Sequence, residues 1–219
     1  MGTRLAFLGI ALCYQLNAGD VVGQVEVSSK LSKPVIRAIN YSQRGVDVSE
    51  RSAIPDSGKM VILLEGAGQP PTPAAAELIQ DAKQFNQDLL VIPTGSTVSF
   101  PNTDPIFHNV FSLSKAKPFD LGYYPQGQTR KVTFSKPGIV QVYCHIHSNM
   151  YAVIVVTNSP HSVKPAADGS FALRGVPAGS YEMLAWHNAA GLTRQTISVS
   201  ATGETRLVVK IPYIYADQK

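Results

Sequence analysis

The stretch Ile139-Val140-Gln141-Val142-Tyr143-Cys144-His145-Ile146-His147-Ser148-Asn149-Met150 decides how this chain is read. Its first half alternates apolar and other side chains as a half-buried strand does. Its second half sets a thiol, an imidazole and a thioether on one short loop. Upstream, His108-Asn109-Val110 supplies a second imidazole. Two histidines, one cysteine and a weak axial methionine are the donor set of a trigonal blue-copper electron-transfer site. The candidate ligands are therefore His108, Cys144, His147 and Met150. Taken singly, each has a plainer reading: Cys144 as a small buried apolar residue, His108 as a loop histidine, Met150 as core filler. A structural zinc site on Cys144 and the nearby histidines is the other metal that this donor set suits.

The cysteine count sharpens the point. The chain has two cysteines, Cys13 and Cys144. Residues 1–18 read as a secretory signal, with Arg4 near the start, an apolar and small run over 5–12, and Asn17-Ala18 ahead of Gly19-Asp20 as the cleavage point. That run is too short to span a bilayer, and no later segment reaches the ~20 apolar residues required. An uncleaved membrane anchor is the alternative; a lipid anchor on Cys13 is disfavoured because Leu12 occupies a position that wants a small residue. After cleavage, 201 residues remain (219 less 18) with a single thiol, which cannot form an intrachain disulfide. A lone thiol in an exported, periplasmic or secreted protein requires an explanation, and metal ligation provides one.

Charge excludes some functions. Without Arg4, the 19 basic side chains become 18 against 15 acidic ones. This mild excess comes with no block of like charge and no basic-aromatic interleaving, so nothing calls for nucleic acid.

Short period-two runs bounded by Gly, Pro, Asn and Asp recur along the whole chain, at 21–27, 60–64, 89–92, 97–100, 132–134, 139–144, 152–157, 170–173, 181–186, 196–199 and 206–211. Many short strands with regular turn signals predict an all-β protein built from sandwiches. The exception is 72–85. There Thr72 suits an N-cap, Pro73 a first helical turn, and Leu78, Ile79, Ala82 and Phe85 one apolar face, so a short helix is predicted. Residues 28–59 read as a long polar loop or weak strands. Proline-rich punctuation at 69–73 and 157–168 brackets a central block that holds every candidate ligand.

Within that block, Phe85, Leu89, Val91, Gly95, Val98, Phe100, Asn102 and Asp104 lead into His108-Asn109-Val110. Phe134, Gly138, Val140 and Val142 then lead into Cys144. Together these residues resemble the plastocyanin/amicyanin branch of the cupredoxins over nearly all of 80–157, and the Cys-x2-His-x2-Met spacing is similar to amicyanin's short ligand loop. The resemblance implies a Greek-key copper sandwich over 67–157. Cys144, His108 and His147 would form its trigonal plane, with Met150 axial. It also implies that the Asn109 backbone N–H bonds the Cys144 sulfur and that the Asn109 side chain ties the two ligand loops together. The exposed edge of His147 would be the port for electrons, with Ile146, Met150, Pro105 and Ile106 as its apolar surround. Two positions depart from the family pattern, His145 and Ile146, where a small polar residue and a proline are usual. Alternation points His145 away from the metal, as an outer-contact or surface residue; the other option is an alternative ligand. Multicopper oxidases need additional His-x-His pairs, and binuclear copper-A centres need two cysteines, so neither fits.

Residues Asp168-Gly169-Ser170-Phe171, Leu173 and Val176-Pro177-Ala178-Gly179 with Tyr181 resemble the carboxypeptidase regulatory-like (transthyretin-like) β-sandwich, also grouped as a carbohydrate-binding-like fold. Asp-Gly is a hairpin signal and Pro-Ala-Gly a tight turn. That fold normally opens with strands like those at 21–27 and 60–64. The expectation is a discontinuous outer domain, 19–66 plus 158–219, with the copper domain inserted. Trp186-His187 at a strand end reads as a packed indole beside an exposed imidazole.

Two functions follow. The first is an exported copper carrier, not an enzyme, passing single electrons between redox proteins such as a c-type cytochrome and a periplasmic dehydrogenase; the domain pairing resembles chains labelled methylamine-utilisation proteins. The second is a copper-binding or adhesion module whose outer sandwich takes glycan or protein. Storage sites carry clustered methionines, whereas Met60, Met150 and Met183 are dispersed.

Overall fold

A computed structural model describes residues 18–27, 59–188 and 190–211. The expected signal segment, apart from Ala18, and nearly all of the expected polar loop lie outside the described residues. Among the described residues there is no α-helix, and the fold is all-β. In chain order the strands begin with β1 (Ala18–Val27), β2 (Met60–Glu65), β3 (Ala75–Glu77), β4 (Gln80–Asp81), β5 (Gln84–Phe85), β6 (Leu89–Pro93), β7 (Thr97–Pro101), β8 (His108–Ser112) and β9 (Phe119–Tyr124). They continue with β10 (Thr129–Thr133), β11 (Gly138–Tyr143), β12 (Tyr151–Thr157), β13 (Ser162–Val163), β14 (Ser170–Pro177), β15 (Gly179–His187), β16 (Gly191–Val199) and β17 (Glu204–Ile211).

Among the described residues, four larger sheets pack around three apolar clusters, and the β4–β5 hairpin forms a fifth, two-stranded sheet. The order β6-β12-β11-β8-β9 forms one sheet and β10-β7-β3 its partner. Between them lie Val98, Phe100, Val110, Phe134, Val140, Val142, Ile154 and their neighbours, all buried. The second pair is β13-β2-β15-β16 with β14-β1-β17. It encloses Val21, Met60, Ile62, Leu64, Phe171, Met183, Val209 and others. Both N-terminal strands are central in their sheets: β1 sits between β14 and β17, and β2 between β13 and β15.

The pairs join through a third cluster in which Val61, Leu63, Leu184 and Trp186 meet Leu89, Val153 and Val155. This follows from period two. In β2, alternate residues face opposite sides, so Met60, Ile62 and Leu64 fill one core while Val61 and Leu63 fill the seam. Strand β12 divides likewise, with Ala152, Ile154 and Val156 on one side and Val153 and Val155 on the other. A strand covered on both faces reads as a continuous apolar run, as both do. Each such side chain contributes roughly 1.5–3 kcal/mol on burial, so the seam holds the two pairs as one body. Polar groups reinforce it: Tyr151 Oη donates to Asn188 Oδ1 at 2.7 Å, Lys59 pairs with Asp88 at 3.5 Å, and Lys164 Nζ donates to the Leu89 carbonyl. Trp186 belongs to this seam and His187 is buried, so the imidazole expected at the surface is covered.

The predicted helix over 72–85 does not form. The segment is instead β3, paired in parallel with β7, followed by the tight hairpin β4–β5. The deciding interactions are non-local. The Leu78 N–H donates to the Ser99 carbonyl at 2.9 Å, and the buried positions Leu78, Gln80 and Phe85 do not follow a helical face. Ala82, assigned to that face, is exposed at the hairpin tip. Ala82 and Lys83 occupy the left-handed region with φ of 49° and 57°. A two-residue turn of that kind normally takes Asn-Gly. Left-handed backbone costs a non-glycine residue roughly 1–2 kcal/mol, so the tip needs support from elsewhere.

Candidate metal centre

The register brings the site together. Tyr143 of β11 is opposite Phe111 of β8 in an antiparallel pair. Alternation turns Phe111 and Tyr143 to the outer face, and Val110, Cys144 and His108 to the core face. The β11–β12 loop folds back on itself, with the Met150 N–H donating to the His147 carbonyl at 3.0 Å. As a result the Cys144 Sγ is 3.9 Å from Nδ1 of both His108 and His147, and the two Nδ1 atoms are 3.2 Å apart. His108 is fully buried, Cys144 and Met150 are buried, and His147 keeps partial exposure.

Metal bonds to nitrogen and sulfur run about 2.0–2.3 Å, so one ion can bridge donors at these separations. The three donor atoms are the one His/Cys/Asp/Glu group able to hold a metal among the described residues. The soft thiol, with a buried thioether next to the same loop, favours copper over hard cations.

Asp104, whose role the sequence reading did not identify, controls His108. Its Oδ2 is 2.6 Å from His108 Nε2 in a buried contact. With Nε2 donating its proton there, Nδ1 presents a lone pair to Cys144 and His147. A carboxylate behind a ligating imidazole fixes its tautomer and raises its basicity. Asp104 also accepts from the N–H groups of Ala82 (2.6 Å) and Lys83 (2.8 Å), which supports the left-handed tip. Only the i to i+4 spacing from Asp104 to His108 could have flagged it, and that signal is weak outside a helix.

Asn109 departs from the resemblance. Its side chain does not run directly to the ligand loop; Nδ2 donates to Asp120 Oδ1 at 2.6 Å, while Oδ1 is buried without a hydrogen-bond partner. Asp120 Oδ2 lies 3.6 Å from His145 Nε2, so the tie between the loops passes through Asp120. The His145 ring stacks flat on Phe111, with centroids 3.9 Å apart and planes at 6°, outside the converging donor group. Phe111 in turn contacts Tyr143, and Tyr143 contacts Tyr151, giving an aromatic row across β8, β11 and β12. Such cross-strand pairs stiffen the sheet beside Cys144. Of the residues expected around His147, Ile146 is 51% exposed, Pro105 is exposed and Ile106 is half-buried. Met150 is buried and leaves the expected surround.

Burial and the charges of His108 and Lys83 hold the His147 proton affinity below the ordinary 6.5. Burial pushes the Asp104 carboxyl up, but hydrogen bonds from Lys83, His108 and Ala82 outweigh it and leave it below 3.8. Each depressed value implies a loss of stability in acid. For His147, the unfolded chain takes its proton first, so the metal-free fold weakens as pH falls below about 6.5. For Asp104, the stabilisation is complete above about pH 4 and disappears as pH falls through its folded value. Thermal melts of metal-free protein should therefore show Tm declining in two stages between pH 7 and 3. A flat Tm down to pH 4.5 would contradict the His147 environment.

No protein-family model matches the chain, and no curated protein matches it. Among solved structures it is similar to a copper-containing nitrite reductase from Thermus scotoductus SA-01 at 28% identity and TM-score 0.36, over 40% of this chain and 23% of that one. The chain thus spans under a quarter of that reductase. It is also similar to a purple cupredoxin from Nitrosopumilus maritimus (24% identity, TM-score 0.34, 37% of this chain and 99% of that one). The copper(I) form of a single-site variant of amicyanin is similar at 18% identity and TM-score 0.36, over 44% of this chain and 98% of that one. Each likeness covers less than half of this chain.

Proposed function

We propose that this chain is an exported, periplasmic or secreted type 1 copper protein that carries single electrons between redox proteins. A c-type cytochrome or a periplasmic dehydrogenase is the class of partner, and the chain itself transforms no substrate. The observation that carries the reading is the convergence of one buried thiol and two imidazole Nδ1 atoms, with one imidazole oriented from behind by a buried carboxylate. When bound, copper supplies a one-electron Cu(II)/Cu(I) couple. The protein holds the donors in place: His108 and Cys144 are fixed by neighbouring strands and Asp104 locks the His108 ring, so little has to move as the charge changes. His147 is the partly exposed member of the donor group, and the exposed apolar Ile146 next to it in the chain suits a small interface that releases quickly.

The test is the absorption spectrum of oxidised, copper-loaded full-length protein, which should show an intense visible band from thiolate-to-copper charge transfer. A colourless protein that binds one zinc tightly would support the structural-metal reading instead. Met150→Leu should keep the band and raise the voltammetric midpoint, because losing a weak axial sulfur destabilises the oxidised ion. An unchanged midpoint would remove Met150 from the ligand set.

A further inference from the structure

The hairpin tip at Ala82–Lys83 lies between the two ligand-bearing segments. On one side, its two amide N–H groups donate to Asp104, whose Oδ2 also meets His108 Nε2. On the other, the Lys83 carbonyl accepts from Asn149 Nδ2 at 3.2 Å, and Asn149 lies between His147 and Met150 on the Cys144 loop. A single peptide turn therefore bonds to the support of the first histidine and to the loop that carries the other donors. The two-residue hairpin turn requires a left-handed backbone that Ala82 and Lys83 adopt with no glycine to ease it, and the bonds to Asp104 and Asn149 help to offset that cost. In the fold, Asp104 and Asn149 are its partners, and Asn149 is exposed with no core to fill.

We propose that the 81–84 turn is a strut that fixes the distance between the two ligand-bearing segments, with Asn149 as the positioning residue at its outer end. Its consequence for metal rests on the metal-site reading above; the strut geometry does not. Setting the metal in the loop at Cys144 and His147 then tightens the turn through Asn149, and tightening the turn braces His108 through Asp104. Outer contacts of this kind are worth about 10–100-fold in metal affinity.

The experiment compares full-length wild type, Asn149→Ala and the near-isosteric Asn149→Asp, which removes the donor. Hydrogen exchange of the Ala82 and Lys83 amides is followed in metal-free, Zn(II)-loaded and Cu(I)-loaded protein, and affinity for each metal is measured by chelator competition. In wild type, loading should slow both amides about tenfold or more. Both substitutions should abolish that slowing and weaken each metal by about tenfold. If loading leaves the two amides unchanged in wild type, or if both variants hold metal as tightly as wild type does, the strut is refuted. A loss of affinity with the slowing retained would equally refute it, since Asn149 would then act only on its own loop. Coupling seen with zinc in a protein that takes no copper colour would sink the copper assignment and leave the strut standing. Normal copper colour with no coupling would do the reverse.

Discussion

Cys144→Ser is expected to abolish the visible absorption of the copper-loaded protein and to weaken Cu(I) binding by well over about tenfold. A hydroxyl is neither soft nor readily ionised, so it cannot replace the covalent thiolate bond, and the two remaining imidazoles cannot produce a charge-transfer band of that origin. Cys144 is 6% exposed at the end of β11, and serine nearly matches its volume. The sheet should persist, which far-UV circular dichroism checks alongside the spectrum. A band that survives the substitution would move the sulfur ligand away from Cys144 and overturn the site.

The second large effect concerns the chain order. Residues 158–219 expressed alone should show no cooperative thermal unfolding, whereas the full chain should unfold in one transition. β1 pairs with β17 from Asp20↔Glu204 to Val27↔Ile211 and with β14 on its other edge. β2 pairs with β15 from Glu182↔Glu65 to His187↔Met60. Without residues 18–65, each of the two sheets loses a central strand, so β14 and β17 have no common neighbour and the β15–β16 hairpin is left with a bare edge. A two-stranded remnant is marginal in water. A sharp, reversible melt of the 158–219 fragment would show that its own strands suffice.

Much of the candidate site was readable from sequence because strand periodicity is strict. Once 139–144 is a strand with Val140 and Val142 inside, Cys144 must also face inward, and His147 and Met150 follow within one short loop. The second histidine was readable only as a motif. Its distance from Cys144 depends on which strand β11 pairs with, and no local pattern states that. The surround of His147 was mixed: Ile146 and Pro105 are at the surface, but Met150 is inside. A methionine at a loop end satisfies either environment until the core volume around it is known.

The segment 72–85 shows where local reasoning fails. Its spacing of Leu78, Ile79, Ala82 and Phe85 fits a helix, and its helix propensity is adequate. Parallel pairing of β3 with β7 and the carboxylate of Asp104 tie the backbone to the rest of the sandwich, whereas a short isolated helix is marginal by itself. Sequence also could not assign Asp104 to His108 or Asp120 to Asn109 and His145. Those carboxylates are recognisable only when the segments that carry them, the loop before β8 and strand β9, are placed.

The sequence by itself determined the all-β class, the inward-facing thiol and a soft donor set that suits copper, because alternation and donor chemistry are local properties. Tertiary structure alone decided that His108 reaches Cys144, that Asp104 turns its Nδ1 toward the site, that the 81–84 turn spans both ligand loops, and that β2 and β12 are covered on both faces. Each of these depends on contacts between residues far apart in the chain, and their energies exist only once the sheets have paired.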